Sequence, residues 1–349
     1  MHGDRDPRPT LEAVAAHAGV SRATVSRVVN GGRGVREELR EQVRRSVELL
    51  GYVPNIAARS LVTRRTGAVA VVIAEPETRV FSDPFFAQQL RGISRELRER
   101  DMQLLLVLIE QPKDYERIGR YLSAGHVDGA LMFSLHGADP LAAMVRESGL
   151  PTVFGGRPGW PGAETESGLL YVDTDNRGGA RQAVAHLRAR GRRRIAVITG
   201  PLDQTSAQDR LDGYHDALAE PDGAPRQPSP LVAHGAFTAE GGETAMAELL
   251  ETDPEIDAVF AGSDLMASGA LRTLHRRGLR VPEDVAVVGY DDLEPAAWSE
   301  PTLTTVRQDV EGMGSMMAEL LLRRLDLRPG DAPPAPVVTE ARLIVRGSS

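Results

Sequence analysis

Between residues 21 and 30 lies a run of short polar side chains and arginines: Ser21, Arg22, Ala23, Thr24, Ser26, Arg27 and Asn30. These are groups that bind nucleic acid. Arg can donate two hydrogen bonds to a guanine edge. Thr24, Ser26 and Asn30 suit phosphates or groove edges, contacts that set register without reading bases. Residues for catalysis or metal binding are poorly represented. With no cysteine, thiolate nucleophiles, iron-sulfur clusters, cysteine-ligated zinc and disulfide scaffolds are excluded. The eight histidines show no HExxH spacing, and there is no GxSxG elbow, GxxxxGK[ST] loop or GxGxxG after a strand. Asp173-Thr174-Asp175-Asn176-Arg177-Gly178 begins like a calcium loop, yet Arg177 takes a ligand position and the twelfth residue is Val184. Asp175 reads instead as a helix N-cap. No enzyme activity, metal or cofactor is expected.

The elements that would present the first group are three short helices. Thr10 can cap a helix with Leu11, Val14, Ala15 and Ala18 on one face, ended by Gly19. Ser21 caps a second helix, whose buried stripe Val25, Val28 and Val29 leaves Arg22, Ala23, Ser26 and Arg27 on or near the other face. A third runs from about Glu37 to Leu50, stopped by Gly51. The first two, joined by Ala18-Gly19-Val20-Ser21, make a helix-turn-helix, although a helical hairpin in another kind of domain has the same bare pattern. Gly31-Gly32-Arg33-Gly34 follows no strand and reads as a connector rather than a phosphate loop. Charge divides the chain at the same place. Residues 1–66 hold 12 Arg and 7 acids, a net of +5, while the rest holds 29 positive and 42 negative side chains, a net of −13. A basic segment on an acidic body suggests that only the first part approaches a polyanion; a solvated charged helix is the plain alternative.

TLEAVAAHAGVSRATVSRVVNGGRGV, followed by LGYVPNIAARSL, resembles the DNA-binding headpiece and hinge of the lactose repressor/galactose repressor family. The resemblance implies that Arg22 and Ala23 occupy the main sequence-reading positions, and adds Thr10 and Tyr52 to the DNA-facing set. It also implies a hinge helix, Pro54 to Leu61, formed on operator DNA. There Asn55 and Ala58 face the minor groove and Leu61 is wedged between base pairs. Such a wedge unstacks a step and kinks the duplex, at a cost recovered through wider contact.

From Gly67 onward, short β-branched runs (AVAVVIA, LLLVLI, GALMF, PTVF, YVD, IAVIT, LVAH, AVFA, VAVVGY) alternate with amphipathic stretches. This βαβα pattern implies parallel sheets covered on both faces, and the length requires two of them. The expected fold is thus a small all-α helix-turn-helix headpiece plus an α/β body of two doubly wound parallel-sheet lobes. Residues 1–53 form the headpiece, 54–66 the hinge helix and linker, and 67–349 the effector-binding and dimerisation domain. The N-lobe is placed at about 67–172 plus 306–332, and the C-lobe at about 173–303 plus 335–349. Ligands bind such lobes at the carboxyl ends of the strands, and the cleft between them is a natural closing site.

DPFFAQQLRGI, HVDGALMF, YVDTDNRGGARQAVAHL, RRIAVITGP, DAVFAGSDLMASGAL and VPEDVAVVGYDD resemble the family's regulatory domain, which has the periplasmic sugar-binding fold. By that resemblance Arg210 and Asp291 bind the effector, together with Asp264. An Arg with a carboxylate and aromatic walls suits a polyhydroxylated ligand, because hydroxyls need charged partners and sugar faces stack on rings. Phe85, Phe86, Phe237 and Trp298 are candidate walls, each of which could equally be core. The two tryptophans, in GGRPGWPG and DDLEPAAWSEP, stand out in a chain with 4% aromatic residues. Arg157 matches an arginine that follows an aspartate in many relatives; here Gly156 precedes it. Gln204 and Ser206 replace an arginine and a threonine of a purine-responsive relative, which turns the expectation from a nucleobase to a saccharide. AARSLVTRRT, HVDG and GGRP resemble cello-oligosaccharide repressors of actinobacteria, which implies cellobiose or a related oligosaccharide.

At 349 residues, with 41% hydrophobic and 26% charged residues, the chain has the content of an ordinary globular protein of two or three domains. Lys113 is its one lysine, a bias given no functional weight. MHGDRDPRPT lacks the apolar centre of a secretory signal and no run reaches transmembrane length, so a cytoplasmic protein is expected. The ending LIVRGSS carries no leucine-heptad helix, which favours a dimer over a tetramer. The expected function is a homodimeric repressor on a palindromic operator, released by a small saccharide. The alternative is a saccharide-binding protein or carbohydrate enzyme with no DNA role.

Overall fold

The computed structural model describes residues 9–29, 32, 34–52, 65–137, 139–163, 166, 168–219 and 229–349. The hinge helix expected at 54–61, with Asn55, Ala58 and Leu61, lies outside the described residues, as does Asn30. Contacts divide the chain into Met1–Thr66 and Gly67–Ser349.

The first unit holds α1 (Leu11–His17), α2 (Arg22–Val29) and α3 (Glu37–Leu50). Thr10 caps α1 by accepting from the Ala13 amide, and Ser21 accepts from the Thr24 amide at 3.1 Å. Gly51, at φ 61°, ends α3 in the left-handed conformation that glycine adopts without a Cβ penalty. Val14, Ala15 and Ala18 of the first helix segment pack with Val25, Val28, Val43 and Tyr52 in one small core.

The second unit contains two six-stranded sheets. The first comprises β1 (Ala68–Ile73), β2 (Gln103–Leu108), β3 (Gly129–Phe133), β4 (Thr152–Gly155), β5 (Tyr171–Thr174) and β11 (Val337–Thr339), in the order β11-β5-β4-β3-β1-β2, all parallel. The second comprises β6 (Ile195–Thr199), β7 (Leu231–His234), β8 (Ala258–Ala261), β9 (Ala286–Asp291), β10 (Thr304–Arg307) and β12 (Arg342–Ile344), in the order β12-β10-β9-β8-β6-β7, with only β12 antiparallel. Alternate residues of each strand serve opposite faces. In β1, Val69, Val71 and Ile73 join one core, while Ala70 and Val72 join another. Burial on both sides is why these strands read as continuous apolar runs.

In the first lobe, α4 (Glu77–Ser82) precedes α5 (Pro84–Glu99), which packs with α13 (Val310–Asp326) on one face; α6 (Pro112–Ser123) and α7 (Pro140–Ser148) cover the other. In the second lobe, α8 (Asn176–Ala189) and α9 (Thr205–Ala219) cover one face, and α10 (Ala239–Thr252) and α11 (Asp264–Arg276) the other. A short α12 (Glu294–Trp298) follows β9. The α5–α13 contact depends on Gly92, where a Cβ would lie 2.0 Å from the Glu311 carbonyl oxygen.

The lobes divide differently from the sequence expectation. β5 runs through residue 174 within the first sheet, and β11, expected in the second lobe, pairs with β5 in the first. The chain therefore crosses between lobes three times, within 174–176, 307–310 and 339–342. Alternating β and α patterns give element types, but sheet membership is decided by pairing partners that a linear pattern does not name. Among the described residues no helix is long and apolar enough to cross a membrane.

Candidate functional sites: the recognition helix and the inter-lobe cleft

α2 presents Arg22, Ala23 and Arg27 to solvent, with Thr24 and Ser26 half-buried, because Val25 and Val28 take the core positions. Its first turn has no acidic residue, which leaves the positive helix end open to a phosphate. Ser21 Oγ and Thr24 Oγ1 lie 2.9 Å apart. Arg22 Nε is 3.0 Å from Glu12 Oε1 on α1, an exposed pair. His17 Nδ1 and Ser46 Oγ, 3.0 Å apart, tie α1 to α3. Tyr52, expected on the DNA, is only 9% exposed and closes the headpiece core.

The second site is the cleft between the lobes, built from segments just beyond the carboxyl ends of the strands. Arg210 on α9 sits at its buried centre. Its Nε donates to Asn176 Oδ1 at 2.8 Å, its Nη1 donates to the Gly262 carbonyl and lies 3.5 Å from Asp291 Oδ1, and its guanidinium stacks 3.7 Å from the Tyr290 ring centroid. Asn176 Nδ2 donates to Asp173 Oδ1 at 3.1 Å, and Gln308 Nε2 donates to Asp291 Oδ1 at 2.6 Å. Asp173, Asn176, Arg210, Asp291 and Gln308 thus form one polar relay between two of the lobe crossings. Burial pushes the Asp291 carboxyl up to about 7, against the Arg210 charge. Burial likewise raises Asp173.

Phe237 packs on Gly200, where a Cβ would meet its ring at 2.1 Å, so only glycine fits beneath it. Arg79 bridges the lobes, with its guanidinium 5.7 Å from the Phe86 centroid and 5.6 Å from that of Phe237. Its Nη1 pairs with Glu75 Oε1 at 2.6 Å. Ser134, Phe237 and Asp291 hold positive φ of 58°, 56° and 112° at strand ends facing the cleft. Such strain, of order 1–3 kcal/mol each, persists where the surroundings over-determine it, commonly at ligand sites. Here Arg307 and Arg346 each donate to the neighbouring Asp292 carboxylate at 2.6 Å, pinning the kink after β9.

A second set of bonds closes the lobes on each other. Arg157 Nη2 donates to both oxygens of Asp209, Thr205 Oγ1 donates to the Arg157 carbonyl at 2.5 Å, and the Gly137 amide donates to the Asp203 carbonyl at 2.8 Å. His136 lies between two carboxylates, with Nε2 3.3 Å from Glu75 Oε1 and Nδ1 3.0 Å from Asp203. The hydrogen bond to Glu75, with that to Asp203, raises its pKa to about 9 in spite of burial. Burial works to raise Glu75, but His136, Arg79 and Ser134 together hold it below the usual range.

Of the residues expected at the effector, Phe85, Arg157, Arg210, Phe237 and Asp291 line this cleft, as do Phe86 and Trp160. Two do not. Asp264 is buried behind it, where Oδ2 accepts from the Leu293 amide at 2.8 Å and Oδ1 from Thr305 Oγ1 at 2.5 Å; its neighbour Ser263 takes the lining position. At a helix start one residue changes the direction of the side chain, and burial raises the Asp264 pKa well above normal. Trp298 is 74% exposed on α12, away from the lining. Gln89, His136, Asp173, Asn176 and Gln308 also line the cleft and were not anticipated. Position just past a strand end is the signal that marks most of them. Asp175 caps α8 by accepting from the Gly178 amide, and among the described residues no acidic or histidine cluster is placed to hold a metal.

Comparison with known proteins matches both parts of the chain to known domains. Residues 10–55 match the model of bacterial regulatory proteins of the lacI family, and 184–349 match a periplasmic binding protein-like domain. The chain is 49% identical over 346 residues, 99% of each chain, to the HTH-type transcriptional regulator CelR of Thermobifida fusca. It is 35% identical to the ribose operon repressor of Escherichia coli K12, covering 90% of this chain and 93% of that one. A solved complex of transcriptional regulator CelR with cellobiose matches 98% of this chain and 100% of its own, at TM-score 0.76 and 47% identity. The lac repressor dimer bound to operator and the anti-inducer ONPF matches 97% and 98%, at TM-score 0.83 and 28% identity. With a helix-turn-helix unit ahead of a two-lobed ligand-binding body, the chain belongs to the lacI family of bacterial transcriptional regulators.

Proposed function

We propose that this regulator is a repressor whose operator is released by a neutral saccharide of the cellobiose class bound between the lobes. The observation that carries the ligand class is charge pairing in the cleft. Arg79, Arg157 and Arg210 are each matched to a carboxylate, Glu75, Asp209 and Asp291, the protonated His136 lies between Glu75 and Asp203, and Asp83, Asp139 and Asp173 add further acids to the lining. An anionic ligand would meet an acidic excess, whereas hydroxyls find charged acceptors, guanidinium donors and rings. That a similar regulator has been solved with cellobiose supports the choice.

On this reading a homodimer sets two headpieces on the half-sites of a palindrome, two-fold symmetry matching two-fold symmetry. Arg22 and Ala23 read bases from the major groove. Thr10, Ser21, Thr24, Ser26, Arg27 and Asn30 hold phosphates or groove edges, the Tyr52 ring supports the headpiece from its core, and Asn55, Ala58 and Leu61 enter the minor groove. The exposed rings of Phe81 and Trp298 suit burial against a second copy. The protein acts by binding alone, in the cytoplasm with the chromosome. Saccharide held by Arg210 and Asp291, between walls that include Phe85, Arg157 and Phe237, stabilises the closed lobes and changes the spacing that the dimer imposes on its headpieces.

Fluorescence anisotropy on palindromic duplexes from upstream of its own and neighbouring genes, with and without a sugar panel that includes cellobiose, tests this directly. Release of one duplex by one sugar is the expected result. Specific DNA binding indifferent to every sugar would overturn the ligand class.

A further inference from the structure

We propose that Trp160 is the stacking platform for the second ring of a disaccharide and sets the preference of the cleft for two linked rings over one; this rests on the saccharide reading above. The polar relay of Arg210, Asn176 and Asp291 meets Phe237, Arg79 and Phe86 at one end of the cleft, where charged partners and rings converge on a single ligand unit. Trp160 lies elsewhere. Arg79 follows β1 and Trp160 follows β4, with β3 between them in the sheet. Two strand spacings separate those ends by about 10 Å. The aromatic groups also stand on opposite faces of the sheet, Phe86 and Phe133 in one core and Phe154 and Trp160 against the other. Asp173 and Asn176 of the relay lie at the end of β5, beside β4, so the relay runs from the Phe237–Phe86 end of the cleft toward Trp160. One ring held against Phe237 and Phe86 leaves Trp160 uncontacted, whereas a second, linked ring reaches it.

The tryptophan is held for that task. Its Nε1 donates to Glu166 Oε2 at 3.3 Å, Arg146 Nε lies 2.8 Å from Glu166 Oε1, and the Arg146 guanidinium sits over the indole at 5.5 Å. Phe154 meets it in a T-shaped contact at 5.3 Å. Its backbone segment is docked on the second lobe, where the Arg157 carbonyl accepts from Thr205 and a Cβ on Gly159 would lie 2.8 Å from the Thr205 methyl. Lobe closure therefore sets the distance between platform and relay. A pre-oriented indole whose polar edge is already satisfied, and whose other face is covered by Arg146, offers its remaining face to an apolar sugar face at small entropic cost.

The test is calorimetric titration of the full-length protein and its Trp160→Ala and Trp160→Phe variants with cellobiose and with glucose. Trp160→Ala is expected to weaken cellobiose by about tenfold or more and leave glucose unchanged, with Trp160→Phe retaining most of the affinity. Unchanged cellobiose affinity, or equal losses for both sugars, overturns the platform. No binding of either sugar by the parent overturns the saccharide reading and the platform with it. Trp298→Phe leaves Trp160 as the sole tryptophan and covers the case in which Trp160→Ala fails to fold. Its emission should shift with cellobiose but not with glucose, and an identical response to both contradicts the assignment.

Discussion

Arg157 and Asp209 join the two lobes through a forked hydrogen bond, one guanidinium nitrogen donating to both carboxylate oxygens at 2.8 and 2.7 Å. The arginine side chain is 42% exposed, so solvent screens the pair and its contribution is modest, about 1 kcal/mol or less. Asp209→Asn is expected to weaken saccharide binding several-fold by loosening the closed form, with operator affinity in the absence of sugar unchanged. Calorimetry and anisotropy on the same preparation check this. Equal saccharide affinity in parent and variant would show that the clamp plays no part in ligand binding.

Asp291 is the buried acceptor opposite Arg210, and Asp291→Asn removes its charge without changing its size. Hydrogen bonds to charged groups contribute about 1.5–3 kcal/mol, so saccharide affinity should fall about tenfold or more while operator binding persists. A variant still released from DNA by sugar at the parental concentration would remove Asp291 from the site. The variant should also change the pH profile of stability. A carboxyl raised from 3.8 to about 7 contributes stability that is full below 3.8 and lost as pH rises through 7. Asp291→Asn should therefore lose less stability than the parent between pH 4 and pH 7, as measured by thermal melts.

His136 gives the opposite end of the range. With its pKa raised from 6.5 to about 9 by Glu75 and Asp203, its contribution is full below pH 6.5 and lost as pH rises through 9. Glu75, held below 4.5, contributes above that value and loses its contribution as pH falls through its lowered pKa. The melting temperature of the parent should fall between pH 7 and pH 10 by more than that of His136→Gln. Parallel curves would mean that the cluster does not couple to folding.

In the headpiece, Arg22→Ala should cost about 1–3 kcal/mol at the base it reads and relax preference there, whereas Arg27→Ala should weaken all sequences alike and lower the salt dependence. Competition anisotropy on duplexes varied one base pair at a time separates the two. The same loss on every duplex for Arg22→Ala would move that residue to the phosphate class.

Much of this was legible in the sequence for definite physical reasons. Thr10, Ser21, Gly51 and Asp175 are local signals, since a cap depends on residues within a turn or two, and each stands where the pattern predicts. β1 and β6 read as unbroken apolar runs because helices cover both faces. The lobe assignment of β5 and β11 depended on long-range pairing and was not legible. Nor was the difference between Asp264 and Ser263, one residue apart at the start of α11, with one carboxylate turned onto Leu293 and Thr305 and one hydroxyl turned to the cleft. His136 and Asp203 lie 67 residues apart in sequence, and only the closed lobes bring them together.

On the proposed function, saccharide in the cleft and operator on the headpieces exclude one another energetically. Linkage requires the factor to be reciprocal. The decisive measurement is the affinity for cellobiose of the free protein and of the protein saturated with operator duplex, set against the operator affinity with and without cellobiose. Cellobiose is expected to bind more weakly on the operator, by the same factor by which it weakens operator binding. Equal cellobiose affinity in the two states would contradict it.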